Sequence, residues 1–176
     1  MSILNFQKPD KILLQKATDF HGQFEFKPLE PGFGQTIGNS LRRILLSSLE
    51  GYAISAIRIA GVDHEFSSIP GVVEDVVDII LNIKQIRLKS AVKGDKATEH
   101  QIYITISGQD EFRAKDIESR TNMFKVMNPE LLICKMEPSV NLELEMTITK
   151  GRGYVPAEEN MPENAPIGVI PVDAIY

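Results

Sequence analysis

Apolar residues recur at helical spacing in two segments of this chain. Residues 36–50 form the first segment, in which about 100° per residue brings Ile37, Leu41, Ile44 and Leu45 to one face. Thr36 is placed as its N-cap and Gly51 as its left-handed C-terminal residue. Residues 72–83 form the second segment, where the apolar arc lies opposite acidic residues. We therefore predict two amphipathic helices, each with one face in a core.

Alternation of apolar and polar residues indicates strands in most of the remaining chain. Residues 12–17 and 24–29 read as a hairpin, and further strands are expected at 52–59, 86–92, 102–106 and 142–148. Glycines and prolines mark 150–166 as a loop, and 167–176 returns to strand. The predicted class is α+β, with more strand than helix.

Composition narrows the functional classes. Of the 176 residues, 43% are hydrophobic and 24% are charged, which is typical of a folded globular protein. A net charge of -5 provides no domain-wide positive field, so nucleic acid is not the expected partner. Neither a signal peptide nor a run of about 20 apolar residues is apparent. With Cys134 as the single cysteine, we expect a reducing, cytoplasmic location and no membrane contact.

A glycine-rich turn at residues 32–38 (GFGQTIG) is the segment most similar to a ligand-binding motif. A dinucleotide fingerprint has two residues between its second and third glycines, whereas three residues separate Gly34 from Gly38. The expected upstream structure is also a hairpin rather than a βαβ unit. We interpret the segment as a tight entry turn in which Gly38 permits close helix packing, with nucleotide binding as the rival function.

Patterns for metal binding or catalysis are weak. His21, His64 and His100 are far apart, and His64-Glu65 is at most half of a metal site. Cys134 lies among leucine and isoleucine, which favours a buried small hydrophobe over a nucleophile. No catalytic residue, cofactor or metal ion is predicted.

Three polar features suggest contact with another protein. On the first helix Arg43 groups with Asn39 and Leu46, opposite the apolar stripe, and the planar guanidinium suits interfaces. The segment 150–154 (KGRGY) is a basic loop with acidic residues on both sides. Such a loop favours a protein partner over a nucleic-acid groove. Glu158, Glu159 and Glu163 form an acidic loop that could serve as a further contact surface.

Seven stretches of the chain resemble the amino-terminal domain of the bacterial RNA polymerase alpha subunit. They are residues 29–34 (LEPGFG), 38–48 (GNSLRRILLSS), 61–66 (GVDHEF), 71–82 (GVVEDVVDIILN), 151–157 (GRGYVPA), 166–168 (PIG) and 172–174 (VDA). Their order along the chain is that of the family.

The resemblance implies two lobes and a role in assembly. Residues 1–51 would begin a dimerisation lobe, 52–170 would form an inserted, mostly β lobe that contacts the large subunits, and 171–176 would return toward the first lobe. Two alpha copies would dimerise and recruit the beta and then the beta-prime subunit. The chain would be a non-catalytic subunit of a nucleotidyltransferase that does not itself contact nucleic acid.

The family pattern also implies interface residues. The implied dimer face is Ile37, Leu41, Ile44 and Leu45. The implied surface for the large subunits consists of Asn39, Arg42, Arg43, Leu46, His64, Glu65, Phe66, Glu74, Asp75, Ile80, Lys84, Arg152 and Tyr154. Because the family continues past the position of Tyr176, a weaker dimer is expected here. The alternative function is a truncated module that binds the large subunits without productive assembly.

Overall fold

The computed structural model describes residues 7–18, 21–92, 97–161 and 165–176. They form an α+β protein, which confirms the predicted class. The chain divides into two compact units, residues 1–46 and 47–176, and each unit is described by itself. A turn expected from Lys93-Gly94-Asp95, between the strands predicted at 86–92 and 102–106, lies outside the described residues, as does Glu163 of the acidic loop.

The first unit contains the predicted hairpin and helix. Strands β1 (Lys11–Ala17) and β2 (Gly22–Lys27) pair antiparallel, with an irregularity between Leu14 and Lys16. Helix α1 follows as Phe33–Ser47, so it begins and ends three residues earlier than predicted. Gly32 immediately precedes the helix with φ 90°, a conformation that favours glycine. The chain therefore turns into the helix before Thr36, which is not the N-cap.

Gly51 was placed wrongly as a helix end. It lies in strand β3 (Glu50–Ile59), where it pairs with Gly151. A Cβ on Gly51 would lie 2.8 Å from the backbone carbonyl carbon of Tyr176, and one on Gly151 would lie 2.5 Å from the Tyr176 ring. The absence of side chains at this cross-strand pair makes room for Tyr176.

The second unit is built on an antiparallel sheet in the order β5-β9-β3-β4-β7, with β11 also paired to β3. The added strands are β4 (Leu88–Ser90), β5 (Glu99–Ser107), β7 (Phe124–Val126), β9 (Asn141–Arg152) and β11 (Val169–Pro171). The alternating segments predicted at 102–106 and 142–148 lie inside β5 and β9, and the strand predicted at 86–92 shortens to β4.

Smaller elements complete this unit. They are helix α2 (Val76–Ile83), strands β6 (Glu111–Arg113) and β8 (Leu132–Lys135), helix α3 (Ala114–Arg120), strand β10 (Tyr154–Val155), a 3-10 helix (Ala157–Asn160) and strand β12 (Ala174–Ile175). The segment predicted as a loop at 150–166 therefore contains the end of β9, β10 and the 3-10 helix. The expected return to strand near the end of the sequence is confirmed by β11 and β12.

Helix α2 begins four residues later than predicted because the preceding backbone pairs with another segment. Val73 N–H donates to the carbonyl of Lys135 at 2.9 Å, and Lys135 N–H donates to the Glu74 carboxylate at 2.6 Å. Val72 also forms a bridge with Met136. These lateral bonds keep residues 72–74 outside the helix, whose N-cap is Asp75.

The core of the second unit joins the sheet to the faces of α2 and α3. Strand β5 contributes its even-numbered residues and β9 contributes Leu142, Leu144, Met146 and Ile148, while the odd-numbered residues of both strands point away from the core. Cys134 is fully buried, as predicted, and burial raises the pKa of its thiol to about 12. No helix within the described ranges is both long and apolar enough to cross a membrane.

Candidate partner-binding surfaces

Helix α1 presents an apolar surface that its own unit leaves uncovered. Leu41, Ile44, Leu45 and Leu46 are each between 51% and 63% exposed, and Ile37 is partly buried. Not one residue of the helix is buried. Large apolar side chains concentrated on one helix typically mark an interaction site, because leaving them in water is unfavourable.

The remaining α1 residues predicted for partner contact lie on the same exposed helix. Asn39, Arg42 and Arg43 are all exposed. At about 100° per residue, Asn39, Arg43 and Leu46 group away from the stripe of Ile37, Leu41, Ile44 and Leu45. One helix therefore offers two different faces, one mostly apolar and one that mixes an amide, an arginine and a leucine.

A second exposed surface lies at the start of α2, and we call it the α2 surface. The predicted residues Glu65, Phe66 and Asp75 come together there around an open cavity of about 430 Å³, which Ser68, Val77 and Asp78 also line. Phe66 is 82% exposed. The Nδ1 atom of His64 lies 3.1 Å from the Ser67 hydroxyl.

Sequence reasoning missed part of the apolar character of the α2 surface. Val73 is 76% exposed and Leu81 is 51% exposed, and Val77 is also exposed. Val73 and Val77 were expected in the core because a helix from residue 72 would turn them inward. The later start of α2 removes Val73 from the helix. The surface thus combines the apolar side chains of Phe66 and Val77 with the carboxylates of Asp75 and Asp78.

Several residues predicted for partner contact also have contacts within the chain, and Glu74, Ile80 and Lys84 are three of them. Glu74 accepts the hydrogen bond from Lys135 N–H that holds the segment before α2. Ile80 is partly buried against the core. Lys84, directly after α2, places its Nζ atom 2.5 Å from Asp173 Oδ2. Their side chains fix local structure, whatever else they contact.

Asp173 joins two of the predicted interface residues. Its carboxylate accepts hydrogen bonds from Lys84, from Ala157 N–H at 2.9 Å and from Tyr154. The Lys84 ammonium, helped by the Ala157 amide, holds the pKa of Asp173 below its usual range. The pKa of the exposed Tyr154 is raised, first by desolvation and then by its bond to Asp173. Sequence reasoning placed Val172-Asp173-Ala174 only within a family motif and did not identify this anchor.

The basic loop predicted at 150–154 is paired with an acidic residue of the same unit. Glu50 lies 2.8 Å from Lys150 Nζ and also bonds the guanidinium of Arg152. These two cations lower the pKa of Glu50 to about 2, the Lys150 hydrogen bond being the larger cause. The end of β9 is therefore clamped to the start of β3, and Arg152 still exposes more than half of its side chain.

The glycine-rich turn has no phosphate-binding geometry. Gly34 and Gly38 lie inside α1, so they do not form a loop whose amide groups converge on an anion. A Cβ at either position would meet nothing within 4 Å. The entry turn at Gly32 is confirmed, whereas the close packing expected at Gly38 does not occur among the described residues.

The histidines do not assemble a metal site in the described part of the chain. No group of three or more His, Cys, Asp or Glu side chains there is arranged to hold an ion. His100 is buried, with its ring centroid 5.2 Å from that of Phe124 and 6.4 Å from that of Tyr52. It thus belongs to an aromatic cluster.

Comparisons with known proteins place these surfaces in context. The model of the family described as the RNA polymerase Rpb3/RpoA insert domain matches residues 57–176. A DNA-directed RNA polymerase subunit alpha of Flavobacterium psychrophilum is 56% identical over the whole chain, and the match covers 53% of that relative. The corresponding subunits of Cytophaga hutchinsonii and Salinibacter ruber are 57% and 44% identical over the whole chain, and the matches cover 53% and 52% of them. The chain spans about half the length of the curated relatives it matches.

Proposed function

This chain belongs to the RNA polymerase Rpb3/RpoA insert-domain family, and from that premise we propose that it is an assembly subunit of a DNA-directed RNA polymerase. It binds a second alpha copy and the beta and beta-prime subunits in the cytoplasm. Synthesis of RNA takes place on other subunits. The alternative, a module that binds the large subunits without productive assembly, is not favoured by any contact in the structure.

The exposed apolar surface of α1 carries this proposal. Leu41, Ile44 and Leu45 are more than half exposed, and the dimer face that they form with Ile37 needs a covering partner. At roughly 25 cal/mol per Å², covering a few hundred Å² of apolar surface contributes several kcal/mol. A gain of that size is comparable to the whole net stability of a domain, so assembly and folding of the first unit are coupled.

The mixed face of α1 and the α2 surface are the proposed contacts for the large subunits. Arg43 offers a planar guanidinium, and Phe66 offers an aromatic ring on an exposed loop. Arginine and aromatic residues are enriched among the side chains that dominate binding energy at protein interfaces. Three further residues complete the proposed contact set. Lys84 follows the C-terminal end of α2, Arg152 ends β9, and Tyr154 begins β10.

Arg43→Ala tests the proposal when captured beta subunit and thermal unfolding are measured on the same preparation. Loss of an interface arginine commonly costs about 2 kcal/mol or more, which corresponds to roughly a thirtyfold weaker complex. The expected result is weaker capture with an unchanged unfolding temperature. Arg120→Ala is the matched control, because Arg120 is an exposed arginine on another helix, α3, and is not a proposed contact.

Three outcomes would contradict the proposal. Equal capture of beta by the parent chain, Arg43→Ala and Phe66→Ala would exclude both proposed surfaces. Much earlier unfolding of Arg43→Ala would show that Arg43 stabilises the first unit rather than a complex. Tight binding of ATP, abolished by a bulky replacement of Gly34, would favour the rival nucleotide-binding function.

A further inference from the structure

Strand β5 forms one end of the main sheet and is unusually long for an edge strand. Its nine residues, Glu99–Ser107, pair along their whole length with β9 and with no other strand among the described residues. The opposite end of the sheet is β7, which has only three residues. The edge of β5 is therefore the longest row of backbone groups that the sheet presents outward.

The register identifies which backbone groups of β5 face outward. Lys150 N–H donates to Thr98 O, and Glu99 pairs with Thr149, so Thr98 and Lys150 form a hydrogen-bonded pair. In an antiparallel ladder such pairs alternate with non-bonded ones. The even-numbered residues thus bond β9, and the outward N–H and C=O groups belong to Glu99, Gln101, Tyr103, Thr105 and Ser107. Within the described ranges, no hydrogen bond to these ten groups is observed.

This edge lacks the features that usually prevent strand addition. Natural edge strands are commonly short or carry lysine, proline or a bulge. Residues 99–107 (EHQIYITIS) contain neither lysine nor proline, and their pairing with β9 runs without a register shift. The only charge that could oppose a neighbouring strand is the carboxylate of Glu99, at one end.

The outer face beside this edge is acidic. Glu99, Glu143 and Glu145 point away from the core, and Arg58, a cation on the same surface, lies 3.8 Å from Glu145. Tyr103 stands among them and donates its hydroxyl hydrogen to Glu145 at 2.8 Å. Open cavities of about 370 and 500 Å³ lie on the two sides of Tyr103, so the surface has room for additional side chains.

We propose that the β5 edge binds an extended, basic polypeptide segment as an added strand. The outward amides and carbonyls of the five odd-numbered residues hold the backbone of the segment. Every second side chain of the segment then lies over the acidic outer face, where lysine or arginine meets Glu99, Glu143 and Glu145. The inference goes beyond the assembly function and uses neither α1 nor the α2 surface.

A single extended basic segment fits the edge better than a second copy of this chain. Each copy carries a net charge of -5, so two copies repel one another at this acidic face. A contact confined to one pair of edge strands also falls short of the roughly 1,200 Å² that stable interfaces between folded proteins bury. A flexible basic segment avoids the repulsion and needs only the strand edge.

The direct test uses the 176-residue chain and two synthetic nine-residue peptides. One peptide alternates lysine with valine and threonine, and the other has glutamate in place of lysine. We expect the lysine peptide to bind at least tenfold more tightly, and the amides of the five odd-numbered residues of β5 to become protected from hydrogen exchange. Absence of binding, protection elsewhere, or a preference for the glutamate peptide would overturn the proposal.

Two variants separate backbone pairing from charge. Gln101→Pro removes an outward N–H without removing a bond to β9, a position where proline is tolerated on an edge. It is expected to weaken lysine-peptide binding at least tenfold, whereas Gln101→Thr, which keeps the N–H, binds like the parent chain. The double variant Glu99→Gln, Glu143→Gln should lose most of the preference for the lysine peptide.

Folding of these variants is checked by thermal unfolding. If Gln101→Pro unfolds early, the charge variant still decides the question, because an unchanged preference for lysine would refute recognition by the acidic face. Sedimentation of the chain alone completes the test. Self-association that Gln101→Pro abolishes would assign the edge to a second copy and overturn the proposal.

Discussion

Replacing either glycine beneath Tyr176 tests how the two ends of the second unit are held together. In Gly151→Ala the new Cβ would lie 2.5 Å from two carbons of the Tyr176 ring, and in Gly51→Ala it would lie 2.8 Å from the Tyr176 carbonyl carbon. Ordinary contact between carbon atoms needs about 3.5–4.0 Å. Each variant must therefore displace Tyr176 or a strand by about 1 Å.

The expected cost follows from what holds Tyr176. Its hydroxyl lies 2.6 Å from the Thr149 hydroxyl, and its N–H donates to Gly153 O at 2.9 Å. Overpacking of this kind typically lowers the free energy of unfolding by about 1–3 kcal/mol. In an open strand, replacing glycine by alanine would instead stabilise by about 0.5–1 kcal/mol. The sign of the change in the free energy of unfolding thus decides whether close packing of Tyr176 against the two glycines matters for stability.

A double-mutant cycle in urea separates the two clashes. Tyr176→Ala removes the ring, so it should cancel most of the cost of Gly151→Ala. The same substitution keeps the backbone of residue 176 and should cancel little of the cost of Gly51→Ala. Two results would refute the proposed packing of Tyr176 against these glycines. One is stabilisation by either single glycine variant, and the other is equal rescue of both variants by Tyr176→Ala.

Three further predictions concern the same unit. Gly71→Ala should unfold at clearly lower urea concentration than Gly61→Ala. Both glycines have positive φ, but only at Gly71 would a Cβ also meet a side chain, that of Val140 at 2.5 Å. Equal urea midpoints of the two variants would exclude the clash. Asp173→Asn should destabilise the protein at pH 7, because the stabilisation exists only while the Asp173 carboxylate is ionised. The difference in free energy of unfolding from the parent chain should shrink as the pH falls below about 4 and through the lowered pKa of Asp173. A difference that persists at acid pH would argue against the ion pair. The Cys134 thiol should react with a disulfide reagent at pH 8 only after unfolding, because it is buried and its pKa is raised to about 12; rapid reaction of the folded chain would contradict its burial.

Periodicity was sufficient for elements whose two faces differ in burial. Strands β5 and β9 alternate between core and solvent along almost their whole length, and the sequence alternates with them. The same reasoning found α1 and the C-terminal part of α2. It failed for α3, because seven residues give too few turns to establish a helical period.

The sequence could predict which residues belong to the candidate surfaces, but it could not predict which other residues they contact. Phe66, Glu65 and Asp75 were expected on a common surface from the family resemblance, and the structure brings them around one cavity. Glu74 was expected there too, but its carboxylate binds the backbone of Lys135, 61 residues away. Helical spacing could not reveal that bond, since it depends on where β8 lies.

The sequence alone determined the α+β class, the apolar stripe of α1 and the buried environment of Cys134, because each depends on neighbours a few residues apart. Tertiary structure decided the rest. The pair Lys84–Asp173 spans 89 residues and the pair Glu50–Arg152 spans 102, so neither leaves a local pattern. The open edge of β5 is likewise invisible in its own residues. An edge exists only when no other strand lies beside it, and the folded sheet alone sets that arrangement.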